Sequence, residues 1–305
     1  MSLSPLSAYT YLAPPIPAVP PLPIPHNITP LWSPTTSTLI TTPNSAILID
    51  PLFTTSQSTS LSSWVQDLLT PTNATLSYIY ITHGHGDHFF GLTGLLSRFP
   101  RAKVLATKGT LDHMYEQLTP SSQQFWTSWF PGDQIAFPTS PLPVGILHPD
   151  SNGNLTIDLD GHTLHAIPVA HSDTNASSFL WVPELKMAIT GDIVYNNAFP
   201  YLAESTTPAL RRQWLAAIEK VRALGPEVVV TGHKKPDAVD GVWNLDRTEE
   251  YIRMWDGLVG NGEIKDARSM FEAVRERERG RVGEFVLWWS CLQQFPVWGD
   301  GMGGR

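Results

Sequence analysis

The residues best suited to chemistry lie together in one short segment, residues 82–88, with the sequence THGHGDH. It directly follows residues 76–81, an apolar, β-branched and aromatic run that predicts a buried strand. Imidazole and carboxylate side chains in combination suit zinc or a similar divalent metal. Gly84 and Gly86 permit backbone angles that other residues resist, which would let the alternate side chains converge. The segment therefore predicts a metal site, the alternative being a solvated polar turn with unrelated histidines.

Three further positions carry side chains of the same kind. His171, Asp192 and His233 each stand just past a short apolar run that predicts a strand. Enzymes with α/β folds usually place their chemistry at such strand ends. One cluster cannot complete the ligand shells of two metals, so we expect these residues to join the site begun by residues 82–88.

In this order the seven residues resemble the ligand series of the metallo-β-lactamase superfamily, H-x-H-x-D-H followed by His, Asp and His, over about residues 31–240. The resemblance implies two Zn²⁺ ions, with iron or manganese as alternatives. It also implies the ligand sets: His83, His85 and His171 for the first metal, Asp87, His88 and His233 for the second, and Asp192 bridging the two.

The pattern of strands and helices agrees with the fold that the resemblance implies. Residues 134–189 alternate as several strands, with hairpin signals at Asn152-Gly153 and Asp160-Gly161. Residues 207–224 form an amphipathic helix. Two strand-rich halves, each flanked by helices, predict two packed sheets with helices outside. The fold class is α/β (α+β), as a four-layer αββα sandwich with a C-terminal helical extension.

The chain divides into three parts by composition. Residues 1–27 are a proline-rich arm, which lies across the enzyme's own surface or serves as a ligand for an aromatic groove. Residues 28–240 are the metallo-β-lactamase-fold domain. Residues 241–305 are a helical extension that packs on the core, the alternatives being a lid on the pocket or a dimer contact. An aromatic run at residues 121–130 either fills the core or walls a substrate pocket.

Composition limits the partners. The net charge of −8 disfavours nucleic acid, because phosphate binding needs a basic face. No uninterrupted apolar stretch reaches the roughly 18 residues that a bilayer requires. A single cysteine, Cys291, excludes an intrachain disulfide and indicates a reducing, cytoplasmic location, with a buried structural thiol. We expect a small-molecule substrate, no nucleic acid, no membrane and a possible homodimer.

Several single residues have two interpretations. Tyr195 follows Asp192 by three residues. Lactonases of the resembled superfamily carry a tyrosine at this offset, and its hydroxyl contacts the substrate carbonyl. The alternative is that Tyr195 is a core residue. Asp50 ends a predicted strand and either supports a metal ligand or caps a turn. Lys234 and Lys235 steer an anionic product or are solvated. No chemistry is assigned to His26, His113, His148, His162 and His165.

The predicted activity follows from the metals. A dinuclear-zinc hydrolase would use a metal-bound hydroxide, oriented by Asp87, because bound metal lowers the pKa of water from about 15.7 towards 7. The segments at 201–204 and 232–236 resemble lactam- and lactone-degrading relatives, so we predict opening of a small cyclic ester or amide, a lactone or γ-lactam. The alternatives are a thioesterase similar to glyoxalase II, which would want basic residues in the extension, and a non-catalytic metal-binding interaction protein.

Overall fold

Two β-sheets packed face to face form the centre of the molecule. The computed structural model describes residues 4–296. Its strands, in chain order, are β1 (Ser7–Leu12), β2 (Ile16–Pro17), β3 (Leu31–Trp32), β4 (Thr36–Thr41), β5 (Ser45–Ile49), β6 (Thr75–Tyr80), β7 (Lys103–Ala106), β8 (Val144–Ile146), β9 (Leu155–Leu159), β10 (His162–Pro168), β11 (Ser178–Val182), β12 (Met187–Ile189), β13 (Tyr195–Asn196), β14 (Val228–Val230) and β15 (His233–Lys234). Its α-helices are α1 (Thr55–Leu69), α2 (Leu92–Arg98), α3 (Lys108–Gln117), α4 (Pro120–Trp129), α5 (Pro208–Arg222), α6 (Trp243–Gly260), α7 (Ala267–Arg277) and α8 (Glu284–Gln294).

The strand order brings the predicted metal-binding segments to one edge. The first sheet has the order β1-β4-β5-β6-β7-β8, and the second has the order β14-β12-β11-β10-β9. Strand β6 runs parallel to both of its neighbours, and β12 runs parallel to β14. Residues 82–88 follow β6, whereas Asp192 and His233 follow β12 and β14. The carboxyl ends of these strands therefore deliver their side chains to a common rim.

Alternating side chains separate the core into two layers. Along β5, Ile47 and Ile49 face the second sheet, where they belong to one apolar cluster with Leu164 and Leu180. The intervening Leu48 joins the larger cluster that includes the helices. This period of two is what a strand covered on both faces requires. The αββα sandwich expected from the sequence is thus confirmed.

The proline-rich arm contains a strand that the sequence did not predict. Residues 7–12 pair antiparallel with β4 and form the edge of the first sheet, rather than only lying across the surface. Their sequence, SAYTYL, is rich in β-branched and aromatic residues. The run of closely spaced prolines begins after the strand, at Pro14. The strand ends where the prolines remove backbone donors.

The two hairpin signals have different outcomes. Asp160-Gly161 joins the paired strands β9 and β10, with positive φ at both residues, as the turn type requires. Asn152-Gly153 forms a turn closed by a hydrogen bond from Gly153 to Asp150. It lies between β8 of the first sheet and β9 of the second, so it guides a crossing between sheets instead of a hairpin.

A buried arginine side chain connects the C-terminal helices to the core. Arg211 of α5 is 1% exposed and pairs with Asp256 of α6 at 2.7 Å, while its guanidinium also donates to Gln294 of α8. Trp288 of α8 donates to the backbone of Leu22 in the arm.

Cys291 is buried, as expected, and burial raises the pKa of its thiol. Among the described residues, no helix combines the length and apolar character needed to cross a membrane.

Replacing Leu180 with alanine tests the packing between the sheets. Leu180 is fully buried and faces the first sheet, so Leu180→Ala is expected to lower the free energy of unfolding by about 2–5 kcal/mol. The matched control is Val239→Ala, at a side chain 70% exposed, with an expected change below about 0.5 kcal/mol. Both are measured by urea denaturation. Equal effects of the two substitutions would contradict the two-sheet core.

Candidate metal centre

The turn after β6 is buried and densely packed. His83, His85, Asp87 and His88 are all at most 8% exposed. The glycines between them serve close approach rather than unusual backbone angles, since neither has a positive φ. A Cβ at Gly84 would lie 2.6 Å from the ring of His113, and one at Gly86 would lie 2.1 Å from Phe90. The expectation that these glycines supply special backbone angles is therefore wrong.

One group of donors forms around the end of this turn. Nε2 of His88 lies 3.2 Å from Oδ1 of Asp192, and Nε2 of His233 lies 3.3 Å from Oδ2 of the same carboxylate. Asp87 faces His233 at 3.2 Å. Asp87, His88 and His233 each offer one atom within 4.8 Å of the others, which is a spacing that a single cation can satisfy. The structure thus brings together the predicted second ligand set, with Asp192 beside it.

A second group forms at the start of the turn. Nδ1 of His85 lies 2.8 Å from Oδ2 of Asp173, and Nε2 of His83 lies 3.6 Å from the same oxygen. These three residues also have donor atoms within 4.8 Å of one another. His171, which the sequence placed here, belongs to none of the candidate groups among the described residues. Its ring nitrogens hydrogen bond to Asn175 and Ser205 instead, so this member of the predicted set is not brought to the group.

Four buried nitrogen and oxygen atoms without hydrogen-bond partners indicate what the site can hold. Nε2 of His83, Nε2 of His88, Oδ2 of Asp173 and Oδ1 of Asp192 are buried atoms without a hydrogen-bond partner. Unpaired buried polar atoms are costly and rare in folded proteins. Each of the four points into one of the two groups, and imidazole nitrogen with carboxylate oxygen is a donor set for divalent metals. The residues of these groups therefore fit divalent cations.

Residues outside the two groups orient the donors. Asp50 accepts hydrogen bonds from the backbone and hydroxyl of Thr82 and contacts Nδ1 of His88 at 3.0 Å. Asp50 therefore supports a candidate ligand, which decides between its two interpretations. The indole of Trp32 donates to Oδ2 of Asp87 at 3.0 Å. Glu204 contacts Nε2 of His85 at 3.0 Å. Such partners fix the ring orientation and tautomer of metal-binding imidazoles.

Burial and mutual charge set the ionisation of the cluster. Burial alone would raise the pKa of Asp87, Asp173 and Asp192, but the neighbouring imidazoles outweigh it and hold each pKa below its usual range. Burial alone would lower the pKa of His233, whereas the carboxylates of Asp192 and Asp87 raise it to about 9. The carboxylates are thus ionised at neutral pH. A bound cation would replace protons on the imidazoles, since metal ligands must be deprotonated.

A cavity of about 650 Å³ opens directly onto the cluster. Asp87, Asp192 and His233 line it. Aromatic side chains line it as well, among them Trp32, Phe125, Trp126, Trp129, Tyr201 and Trp289. Helix α4 thus serves both alternatives given for residues 121–130, because Trp126 and Trp129 are buried and also line the cavity. No lysine or arginine of residues 4–296 lines this cavity, whereas Asp87, Glu116, Asp192 and Glu204 do.

Tyr195 lines the cavity. Strand β13 pairs parallel with β15, which stacks the Tyr195 ring on His233 at 5.7 Å. Its hydroxyl donates to Oδ2 of Asp192. Burial, followed by the charge of Asp192, raises the pKa of the phenol well above its usual value. The phenol therefore stays a proton donor at neutral pH.

Four residues of the candidate site were missed or undervalued by sequence reasoning. Trp32 is 55 positions from the Asp87 that it contacts, and Glu204 is 119 positions from His85. Asp173 stands two positions after His171 in the same segment, and that proximity was the only available signal. His113, to which no chemistry was assigned, lines the cavity, where burial lowers the pKa of its ring to about 4.

Comparison with known proteins identifies the family and the fold. The model of the metallo-β-lactamase superfamily matches residues 30–233. The fold is similar to that of a metallo-β-lactamase family protein from Thermus thermophilus, with a TM-score of 0.56 at 15% identity, covering 93% of this chain and 92% of that one. It is also similar to a metallo-β-lactamase from Pontibacter korlensis, with a TM-score of 0.55 at 17% identity, covering 81% and 94%.

A comparison with curated proteins gave no match. At such low identities the solved structures establish the fold, whereas the family model covers about two thirds of the chain, including both donor groups up to His233. The chain belongs to the metallo-β-lactamase superfamily, as a metal-dependent hydrolase.

Proposed function

We propose that this hydrolase opens a small, uncharged cyclic ester or amide, a lactone or γ-lactam that carries an apolar or aromatic group. The observation that carries the proposal is the cavity, which is lined by both candidate metal donors and aromatic rings. Its volume of about 650 Å³ suits a small molecule. An aromatic wall stabilises an apolar substituent, while the metal side acts on the ring carbonyl.

Two divalent cations, which we propose to be zinc, would supply a nucleophilic hydroxide at neutral pH and a Lewis acid for the carbonyl. His83 and His85 would hold one ion, and Asp87, His88 and His233 the other, with Asp192 between them. The reaction adds the elements of water: oxygen bonds to the carbonyl carbon, the ring C–O or C–N bond breaks, and the released heteroatom takes a proton.

Two residues have further proposed roles. The carboxylate of Asp87, held through Oδ2 by the indole of Trp32, orients the attacking water. The protonated hydroxyl of Tyr195 donates to the substrate carbonyl oxygen, on which negative charge develops during attack. In the free protein this hydroxyl donates to Asp192, so substrate binding would exchange one acceptor for another.

The charges around the site favour this substrate class over thioesters of anionic carriers such as glutathione. Lys234 pairs with Asp240 at 2.8 Å, and Lys235 donates to the carbonyl of Gly280. Neither lysine lines the cavity, so the steering role considered for them has no support. In the extension, Arg247 and Arg253 pair with glutamates on the protein surface. An anionic carrier would therefore find no lysine or arginine side chain in the cavity wall to pair with its carboxylates.

A substrate panel tests the proposal. Neutral lactones and lactams with an aromatic substituent are expected to give a kcat/KM at least about 100-fold above that of S-acyl glutathione thioesters. The measurement is initial rate on each substrate by the full chain loaded with zinc. A chelator should abolish the activity and added zinc should restore it. Turnover of thioesters without turnover of lactones or lactams would exclude ring opening as the function.

The aromatic wall makes its own prediction. Trp289 is only partly buried and lines the cavity, so Trp289→Ala is expected to raise KM for the aromatic substrate about 5- to 30-fold, from a loss of about 1–2 kcal/mol of apolar contact. The value of kcat should change less. The matched control is Trp243→Ala, at a side chain 51% exposed and outside the cavity. A similar KM for both variants would contradict substrate contact with this wall.

A further inference from the structure

The loop between β10 and β11 holds two side chains that compete for one role. The family pattern assigns the third ligand of the first cation to His171, but the structure presents Asp173 at that place. We infer that Asp173 is the third protein ligand of the first cation and that His171 instead shapes the loop. This inference rests on the proposed pair of cations.

Asp173 has the position and the free atom that a ligand needs. Its side chain is fully buried, and Oδ2 lies 2.8 Å from Nδ1 of His85 and 3.6 Å from Nε2 of His83. Outside this group of three residues, neither Oδ2 of Asp173 nor Nε2 of His83 has a hydrogen-bond partner. The other oxygen, Oδ1, accepts a hydrogen bond from the hydroxyl of Ser172 at 2.7 Å. One oxygen therefore fixes the carboxylate while the other remains available to a cation.

His171 is engaged on both sides of its ring. Nδ1 lies 2.8 Å from Oδ1 of Asn175, and Nε2 lies 2.7 Å from the hydroxyl of Ser205. That hydroxyl in turn donates to the backbone carbonyl of Ser172. The His171 ring thus connects the loop between β10 and β11 to the segment that contains Ser205. To reach the first donor group, His171 would have to give up two buried hydrogen bonds, whereas Oδ2 of Asp173 already faces both imidazoles of that group.

The exchange changes the chemistry of the first cation. Two imidazoles and one carboxylate form a donor set that binds zinc in hydrolases and iron(II) in oxygenases. Compared with three neutral imidazoles, this set adds one negative charge. With Asp87 and Asp192, three carboxylates would then face the four positive charges of two divalent ions. The reduced positive charge gives less attraction to anionic substrates, in agreement with a cavity that binds uncharged ones.

Two variants of the full chain separate the candidate ligands. We expect Asp173→Asn to bind one divalent ion per chain in place of two, or to weaken the first ion at least about 100-fold, while His171→Gln retains both. Metal content is measured by native mass spectrometry after zinc loading, with circular dichroism as the check on folding. Loss of an ion from folded His171→Gln, with both ions kept by Asp173→Asn, would overturn the inference.

A zinc-loaded crystal of the unaltered chain decides the question without any substitution. Anomalous scattering should place one ion about 2.0–2.2 Å from Oδ2 of Asp173, with His171 still bound to Asn175 and Ser205. An ion ligated by Nε2 of His171 would overturn the inference yet leave the pair of cations intact. Failure of the proposed function has a different signature, in which the chain binds both ions as inferred but opens no lactone or lactam.

Discussion

The carboxylates of Asp87, Asp173 and Asp192 are buried together at one edge of the sandwich, at 2%, 0% and 4% exposure. Negative charges in such surroundings repel strongly and cannot remain ionised without positive charge between them. The imidazoles of residues 83–88 and His233 alternate with these carboxylates in space, and several facing atoms have no hydrogen-bond partner. Divalent cations satisfy both requirements, since they neutralise the charge and complete the coordination of the unpaired atoms.

The fold can be understood as the means of assembling this cluster. Parallel strands β5, β6 and β7 send residues 82–88 to the same rim that β12 and β14 reach from the second sheet. Buried partners such as Asp50 and Trp32 then hold the donors in place. The C-terminal helices also contribute to the site, because Val286 and Trp289 of α8 line the cavity. The extension is thus part of the site's wall.

The sequence predicted the parts of the site that depend on short local patterns. The turn at residues 82–88 follows a strand of evident pattern, and Asp192 and His233 follow two others, so strand ends sufficed to bring them together. The proposed role of Asp173 in place of His171 could not be predicted, because it depends on hydrogen bonds of His171 to Asn175 and Ser205 that form only in the folded loop. Likewise, Trp32 and Glu204 reach their partners across long separations in the chain.

The same distinction holds for the fold. Helix α5 lies within two residues of its predicted bounds, since a periodic apolar face and a capping residue mark it. Strand β1 was missed because its alternating pattern is short and adjoins a proline-rich stretch, and its pairing with β4 depends on a distant partner. The turn at Asn152-Gly153 was identified correctly, but its place between two sheets is a property of the topology.

The central claim is that the buried cluster is a centre for two divalent cations. Its most direct test is native mass spectrometry of the full chain, expressed with zinc and compared before and after treatment with a strong chelator. We predict a mass difference that corresponds to two zinc ions per folded chain. A folded chain with the same mass before and after chelation, and no uptake of added zinc, would contradict the account.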